Sequence, residues 1–340
     1  MRVFVGEFIC GGGMRRRSSD TIDASLRAEG AAMLSAISSD IAKFAELSVA
    51  VDVRLCPPLP PATYHEMDVS LPLWGQWIRA AQGCDVAIVI APETNGLLAK
   101  AVSMLRAGNI QVIASTSEFL RAASDKLHTA RIFADAGVPH PATYVPSDPK
   151  SQGRLDGFAR YIVKPRDGCG TQEIKVFNDL SAAFAAVTDN HVLQGFIPGR
   201  PVSVAAIVNL DEVVTLPAVS QSISLESCAY RGGSGPLPIE DQRRAASLAQ
   251  CVMAAMPPAP RGFIGFDLVL GDEPCMDVVI EVNARLTTSY VGLRHMVAGN
   301  LAARLIGLER GPVQCKVAAD CVTWNPVGNI WVNGAAVDHD

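Results

Sequence analysis

Two carboxylates and one carboxamide lie in a stretch that is typical of two neighbouring strands joined by a turn. The predicted strands run from Phe263 to Leu270 and from Asp277 to Asn283, and they carry Asp267, Glu281 and Asn283. Side chains alternate along a strand, so Glu281 and Asn283 share one face, and an antiparallel partner would bring Asp267 beside them. Oxygen ligands of this kind suit Mg²⁺ bound together with a substrate's phosphates, with Mn²⁺ as the alternative ion. The competing interpretation is a hairpin whose acids face solvent.

A lysine at the start of a predicted helix is a candidate phosphate ligand. Ser124 or Asp125 can cap this helix, and Gly137 ends it. Lys126 lies in the first turn, where the helix dipole disfavours a cation unless an anion lies nearby. The position therefore indicates either an anion-binding lysine or a solvated one.

A second lysine precedes a loop that contains glycines. Lys164 lies near the end of a predicted strand over 161–165, and the following loop holds Gly168, Gly170 and Thr171. Backbone N–H groups in such loops can form a phosphate-binding nest. The loop is not a Walker A motif, because G-x-x-x-x-G-K-[ST] occurs nowhere in the chain. Cys169 in the same loop has no neighbouring base in the sequence, so it is interpreted as a small loop residue rather than a nucleophile.

A strand-to-turn passage follows at residues 191–199. Its residues Gln194, Gly195, Phe196 and Ile197 can offer backbone groups to an adenine edge and apolar contacts to its faces. Taken alone, the pattern predicts only β-hairpins.

Residues 1 to about 114 alternate strand-like and helix-like patterns, which predicts a parallel sheet covered by helices. The expected strands are 3–5, 49–55, 85–91 and 111–114. Ligands bind outside the carboxyl ends of such strands, where Glu7 and Glu93 stand. Each carboxylate either meets a substrate amine or is a solvated loop acid. The Gly11 to Gly13 run lacks the G-x-G-x-x-G spacing of a dinucleotide site.

Composition and charge argue against several classes of protein. The 340 residues carry a net charge of −5, which offers no basic surface for nucleic acid or for a membrane. The nine cysteines are odd in number and include no C-x-x-C pair, which argues against a zinc ribbon or a disulfide framework. No apolar run approaches the length of a membrane span. We therefore expect a soluble cytoplasmic protein without nucleic-acid or membrane partners.

Taken in order, the two lysines, the glycine loop, the strand-to-turn passage and the acidic strands resemble the ATP-grasp superfamily of carboxylate–amine ligases. The resemblance covers residues 1 to about 310. It implies an α/β and α+β chain, with an N-terminal parallel α/β pre-ATP-grasp domain at 1–114 followed by a two-lobed ATP-grasp fold. The implied lobes are 115–190, with the phosphate loop, and 191–312, with the metal site; a strand extension follows at 313–340.

The resemblance also implies roles for individual residues. The counterparts of Lys126 and Lys164 contact the phosphates of ATP, and the loop matching Gly168, Gly170 and Thr171 closes over them. The passage from Gln194 to Ile197 holds adenine. The residues matching Asp267, Glu281 and Asn283 hold magnesium. One departure concerns the ribose, because many members carry a glutamate where this chain has Pro201.

A narrower resemblance points to the branch that contains tyramine–glutamate ligase, an enzyme of methanofuran biosynthesis in C1 metabolism. The residues that carry it are Glu7-Phe8, Glu29-Gly30, Ala91 to Thr94, Ser124 to Lys126, and Glu281 to Tyr290. Members commonly carry proline where this chain has Ala284.

The implied reaction joins a carboxylate, glutamate in that branch, to a tyramine-like amine or an amino acid. ATP activates the carboxylate as an acyl phosphate, and ADP and phosphate are released. Arg285 and Lys164 are the catalytic candidates; Arg285 shares strand-face parity with Glu281 and Asn283. The substrate candidates are Arg231, Glu7, Ser289 and Tyr290.

Two alternatives remain open beside this function. One is a ligase of the same chemistry for other amino-acid partners. The other is a non-catalytic nucleotide-binding regulatory protein, against which the three retained metal-ligand candidates argue. Small-molecule carboxylates and amines are the expected partners, and the oligomeric state is left open, a homo-oligomer included.

Overall fold

A parallel sheet forms the first part of the chain. The computed structural model describes residues 1–148, 154–168, 173–224, 226–317 and 320–337. The first four strands are β1 (Arg2–Glu7), β2 (Glu46–Val51), β3 (Thr63–Glu66) and β4 (Val86–Ile90). They pair in parallel in the order β3-β2-β1-β4. Strands β1, β2 and β4 are almost wholly buried, as a parallel sheet covered on both faces requires.

Helices cover both faces of this sheet. They are α1 (Ala24–Ile41), α2 (Leu73–Ala81) and α3 (Leu97–Ala107). The next helices are α4 (Ser117–Ser124), which packs against α3, and α5 (Lys126–Ala136), which packs against α4. Leu34, Ile37 and Ile41 recur at helical spacing in α1 and are fully buried against strand residues. The strand expected at 111–114 is reduced to one parallel bridge between Ala87 and Val112. Strand β3 was not expected from the sequence, because a proline-rich segment at 57–61 directly precedes it.

A second sheet is antiparallel and small. Its strands are β5 (Thr143–Tyr144), β6 (Tyr161–Pro165), β7 (Lys175–Phe177) and β8 (His191–Gly195), and helix α6 (Leu180–Ala186) lies between the last two. The order is β5-β8-β6-β7. The boundary expected between residues 190 and 191 is therefore misplaced, because β8 hydrogen-bonds to β5 and β6 rather than to the next sheet.

A nine-stranded antiparallel sheet completes the fold. Its strands are β9 (Arg200–Val208), β10 (Val213–Thr215), β11 (Val219–Ile223), β12 (Tyr230–Gly235), β13 (Gly262–Leu270), β14 (Val278–Asn283), β15 (Val322–Trp324), β16 (Ile330–Val332) and β17 (Ala335–Val337). Their order is β14-β13-β9-β11-β12-β15-β16-β17, with β10 beside β9. The residues expected as a separate extension after 312 thus continue this sheet, since β15 pairs with β12.

Three helices accompany the large sheet, and two of them join it to the first domain. They are α7 (Ile239–Ala255), α8 (Ser289–Met296) and α9 (Leu301–Leu305). Asp40 of α1 accepts hydrogen bonds from Tyr290 at 2.8 Å and from Arg294 at 2.7 Å, both on α8. This buried network fixes α1 against the sheet. Within the described ranges, no helix combines the length and apolar character that a membrane-spanning segment needs.

Candidate active site

The register of β13 and β14 brings the acidic side chains together. Asp267 lies directly opposite Glu281 in an antiparallel pair, as expected from the sequence. The Asn283 side-chain N–H donates to Asp267 Oδ2 at 2.9 Å, and Gln221 of β11 donates to Oδ1 at 2.8 Å. Two carboxylates and a carboxamide therefore converge on one place at the sheet surface.

Two lysines balance the charge of these carboxylates. The Lys126 ammonium lies 2.9 Å from Glu281 Oε1. Burial lowers the pKa of Lys164 to about 8, although the charge of Glu281 opposes that shift. Burial, and then the neighbouring charge of Glu281, raises the pKa of Asp267 to about 6. Burial alone would also raise the pKa of Glu281, but the charges of Lys126 and Lys164 hold it below its usual value.

The donor set fits a small divalent cation that keeps part of its coordination sphere for a substrate. Within the residues the structure describes, no group of three or more His, Cys, Asp or Glu side chains is placed so that it could hold a metal ion. A cation at Asp267, Glu281 and Asn283 would thus have only oxygen ligands and few of them. Mg²⁺ is commonly bound in this way, by one or two carboxylates together with phosphates and water.

Lys126 is tied to the loop that follows β6. Its ammonium donates to the Gly168 carbonyl at 2.6 Å, and its backbone N–H donates to Arg166 O at 2.9 Å. The expected helix signals around it are confirmed: Asp125 caps α5, and Gly137 ends it in the left-handed region at φ 69°. Gly170, Thr171 and Cys169 lie outside the described residues.

One cavity of about 260 Å³ joins these groups to the strand-to-turn passage. Gln194, Gly195, Phe196 and Ile197 all line it, together with both lysines, Gly168 and the acidic cluster. The Arg160 guanidinium stacks on the Phe196 ring at 3.9 Å from the ring centroid, which fixes one wall. Pro201 also lines the cavity, and its side chain offers no polar atom.

Arg285 lines the same cavity and is held by an acid from the first domain. Its Nε–H lies 2.9 and 3.0 Å from the two carboxylate oxygens of Glu93, which is buried after β4. Glu93, for which a substrate amine and solvent were the two expected partners, thus meets the guanidinium of the site. Ser289 also lines the cavity, and its hydroxyl lies 2.8 Å from that of Thr287.

The buried pair between Glu93 and Arg285 gives a prediction for stability. Glu93→Gln leaves the guanidinium without its anionic partner, so we expect the free energy of unfolding to fall by about 3 kcal/mol. Chemical denaturation of the purified variant measures this loss. Glu118→Gln, at an exposed position of α4, is the matched control. A Glu93→Gln protein as stable as that control would contradict the inferred importance of the pair.

Two substrate candidates point away from the cavity. Tyr290 is fully buried, and its hydroxyl donates to Asp40, because the chain has entered α8 and the strand parity no longer applies. Glu7 is 3% exposed, and its carboxylate accepts the Cys10 N–H at 2.6 Å and packs against Gly30 of α1. It does not line the cavity. The expectations for these two residues are corrected accordingly.

Arg231 is a third substrate candidate that the structure places elsewhere. It is exposed on β12 and does not line the cavity, whereas its neighbour Tyr230 does. Strand alternation explains the difference. Arg231→Ala should therefore leave the KM for the carboxylate substrate within about twofold of wild type, as surface substitutions usually do. A tenfold or larger rise in that KM alone would restore the original expectation.

Several cavity residues were not assigned to the site from the sequence. Among them are Glu29 and Met33 of α1, Tyr230 of β12 and Trp324 of β15, although Glu29 is one of the residues that carry the narrower resemblance. Only the four-residue spacing of Glu29 and Met33 is a local signal, since it places both on one helix face. Trp324 joins the site through the long-range pairing of β15 with β12.

Comparison with known families agrees with this arrangement. Residues 45–118 match the model of the pre ATP-grasp 3 domain, and residues 123–289 match the model of the ATP-grasp domain. The chain belongs to the ATP-grasp superfamily. The predicted fold, a parallel pre-ATP-grasp domain followed by an ATP-grasp fold, is confirmed.

Individual relatives of this ATP-grasp protein are distant. It is 25% identical to tyramine–L-glutamate ligase of Methanocaldococcus fervens, over 62% of each chain. It is 24% identical to the Methanocaldococcus jannaschii protein of the same name, over 63% of this chain and 60% of that one. The matches thus span less than two thirds of these relatives. A solved ATP-grasp superfamily protein from Archaeoglobus fulgidus superimposes with a TM-score of 0.69 at 23% identity, covering 95% of this chain and 92% of that one.

Proposed function

We propose that this chain is an ATP-dependent ligase that joins a carboxylate to an amine through an acyl phosphate. The observation that carries the proposal is one cavity holding two buried lysines beside a paired carboxylate cluster. Such a site can neutralise and align phosphoryl groups, which is most of what phosphoryl transfer requires from a protein. Cys228 also lines the cavity, but burial raises the pKa of its thiol, which leaves it a poor nucleophile at neutral pH.

Each part of the cavity has a proposed role in binding ATP. Lys126 and Lys164 hold the phosphates, aided by Gly168, Gly170 and Thr171 of the loop after β6. The passage from Gln194 to Ile197 receives adenine. Asp267, Glu281 and Asn283 would hold Mg²⁺, which when bound supplies positive charge at the phosphoryl oxygens.

The chemistry follows in two balanced steps. A carboxylate oxygen of the substrate attacks the γ-phosphorus of ATP, and the bond to the leaving ADP oxygen breaks. The amine nitrogen then attacks the acyl carbon, the C–O bond to phosphate breaks, and the nitrogen loses a proton. Arg285, oriented by Glu93, is proposed to hold the transferring phosphoryl or the substrate carboxylate, since a guanidinium matches either anion.

For the substrates we propose glutamate as the carboxylate and an aromatic amine such as tyramine. The names of the two Methanocaldococcus relatives support this choice. Ser289 is proposed to border the substrates because it lines the cavity beside Arg285.

An assay with hydroxylamine tests the activation step without knowledge of the amine. Hydroxylamine converts an acyl phosphate to a stable hydroxamate, so each carboxylate of a panel is incubated with ATP, Mg²⁺, hydroxylamine and the purified chain. We expect glutamate-dependent hydroxamate with equal amounts of ADP and phosphate. An amine panel with product masses then identifies the second substrate. Release of AMP, or ATP hydrolysis that no carboxylate stimulates, would overturn the proposal.

A further inference from the structure

One end of the cavity carries a carboxylate and two aromatic side chains that the proposed activation step does not use. Glu29 and Met33 line this end from α1, while Tyr230 and Trp324 line it from β12 and β15. These residues come from the first domain and from the large antiparallel sheet. Two separate parts of the fold therefore enclose this end.

The sheet order separates this end from the acidic cluster. Strands β9 and β11 lie between β13, which carries Asp267, and β12, which carries Tyr230. Three strand spacings separate the two backbones by about 14 Å, and the side chains lie closer, since the charge of Asp267 acts on the Tyr230 hydroxyl. The charge of Arg285 acts on Glu29, so a substrate whose reacting nitrogen lies at Glu29 stays beside the reaction centre while its body extends toward Tyr230 and Trp324.

The aromatic wall is built into the sheet. Trp324 is 3% exposed, and its indole N–H donates to the Tyr230 hydroxyl at 2.9 Å. The indole ring packs on two glycines, because a Cβ at Gly233 or Gly292 would lie 2.4 or 2.2 Å from ring atoms. The wall is thus positioned before a ligand arrives, which reduces the entropy lost on binding.

Glu29 supplies the single charge of this end. Its carboxylate accepts a hydrogen bond from Ser25 at 3.1 Å, and it takes part in no ion pair among the residues the structure describes. Gly30 lets α1 approach β1 at this point, since a Cβ there would lie 2.8 Å from Glu7 Oε1. The positive charge that acts on Glu29 is that of Arg285, which already contacts Glu93, so this half-buried carboxylate facing a cavity favours a cationic ligand.

We propose that this end binds the amine substrate as a primary ammonium ion with an aromatic or long apolar body. Glu29 holds the ammonium and accepts one of its protons before the nitrogen attacks the acyl carbon, and Met33, Tyr230 and Trp324 hold the body. The assignment rests on the proposed ligase function. It gives β15 a role in substrate binding, because Trp324 comes from that strand.

Two variants and two matched controls test the assignment. Glu29→Gln removes the charge, and Trp324→Leu removes the aromatic face, with Trp324→Phe as the milder change if the leucine variant does not fold. Glu240→Gln, exposed on α7, and Trp331→Leu, on β16 and away from the cavity lining, are the controls. The readouts are the KM values for tyramine and for ATP, and the ratio of tyramine ligation to hydroxamate formation.

We expect Glu29→Gln to raise the KM for tyramine about tenfold or more, with the KM for ATP within about twofold, since a hydrogen bond to a charged group is lost. The ratio of ligation to hydroxamate formation should fall by a similar factor. The Trp324 variants should lose more ligation activity with aromatic amines than with methylamine.

The outcomes separate this assignment from the function on which it rests. The amine site alone would be overturned if the wild-type protein makes hydroxamate and both variants keep the ratio of tyramine ligation to hydroxamate formation that the control variants show. Wild-type protein that makes no hydroxamate with any carboxylate would remove the reaction itself and overturn both.

Discussion

Glu281→Gln should reduce amine- and carboxylate-dependent ADP formation by about a thousandfold. The substitution removes one of the two buried carboxylates proposed to hold Mg²⁺, and loss of one preorganised electrostatic group commonly reduces kcat by 10²–10³. It also leaves the Lys126 ammonium without its partner at 2.9 Å. We therefore expect the free energy of unfolding to fall by about 2 kcal/mol as well.

Asp267→Asn should reduce activity as strongly but affect stability differently. The raised pKa of Asp267 shows that its ionised form is disfavoured by burial and by Glu281. A neutral amide removes that unfavourable charge, so we expect the melting temperature to stay at the wild-type value or to rise. Coupled ADP assays and thermal unfolding measure both quantities.

Glu273→Gln, in the exposed turn between β13 and β14, is the control for both variants. It makes the same chemical change on the same hairpin away from the cavity. If Asp267→Asn or Glu281→Gln forms ADP at the wild-type rate, the assignment of that residue to the metal site is contradicted.

Lys164→Met should produce the second large loss, at least about a hundredfold in kcat/KM for ATP. The pKa of about 8 leaves this buried lysine mostly protonated at pH 7, so it presents a cation to the phosphates. Methionine keeps the length of the side chain and removes its charge. Initial rates over a range of ATP concentrations measure the effect, with Lys100→Met on the exposed face of α3 as the control. An unchanged dependence on ATP would exclude Lys164 from the nucleotide site.

Features set by neighbouring residues were predictable from the sequence. Asp125 and Gly137 delimit α5 as their residue types indicate. The alternation of Asp267, Glu281 and Asn283 predicted their common location, because antiparallel pairing of consecutive strands is a local event. The lysines and the acidic strands were therefore found without the structure.

Features that depend on distant packing were not predictable. Tyr290 was expected at the site because it belongs to the segment 281–290 that carries the family resemblance, but at Ser289 the chain begins a helix and Tyr290 turns into the core. Strand β12 was not predicted, because the sequence around Arg231 is rich in glycine. Side chains alternate along this strand, so Tyr230 faces the cavity and Arg231 does not.

The amine-binding end is the clearest case of long-range assembly. Glu29 precedes Trp324 by almost the whole length of the chain, and only the packing of α1 over the sheet and the pairing of β12 with β15 bring both to one cavity. No local pattern connects a glutamate on a helix with a tryptophan on a short strand.

The fate of the carboxylate oxygen tests the central claim most directly. Glutamate labelled with ¹⁸O in its carboxyl groups is incubated with ATP, Mg²⁺, tyramine and the wild-type chain, and the released phosphate and nucleotide are analysed by mass spectrometry. An acyl phosphate transfers one labelled oxygen to each inorganic phosphate, and this is the result we predict. Unlabelled phosphate, or label appearing in AMP, would contradict the proposed mechanism.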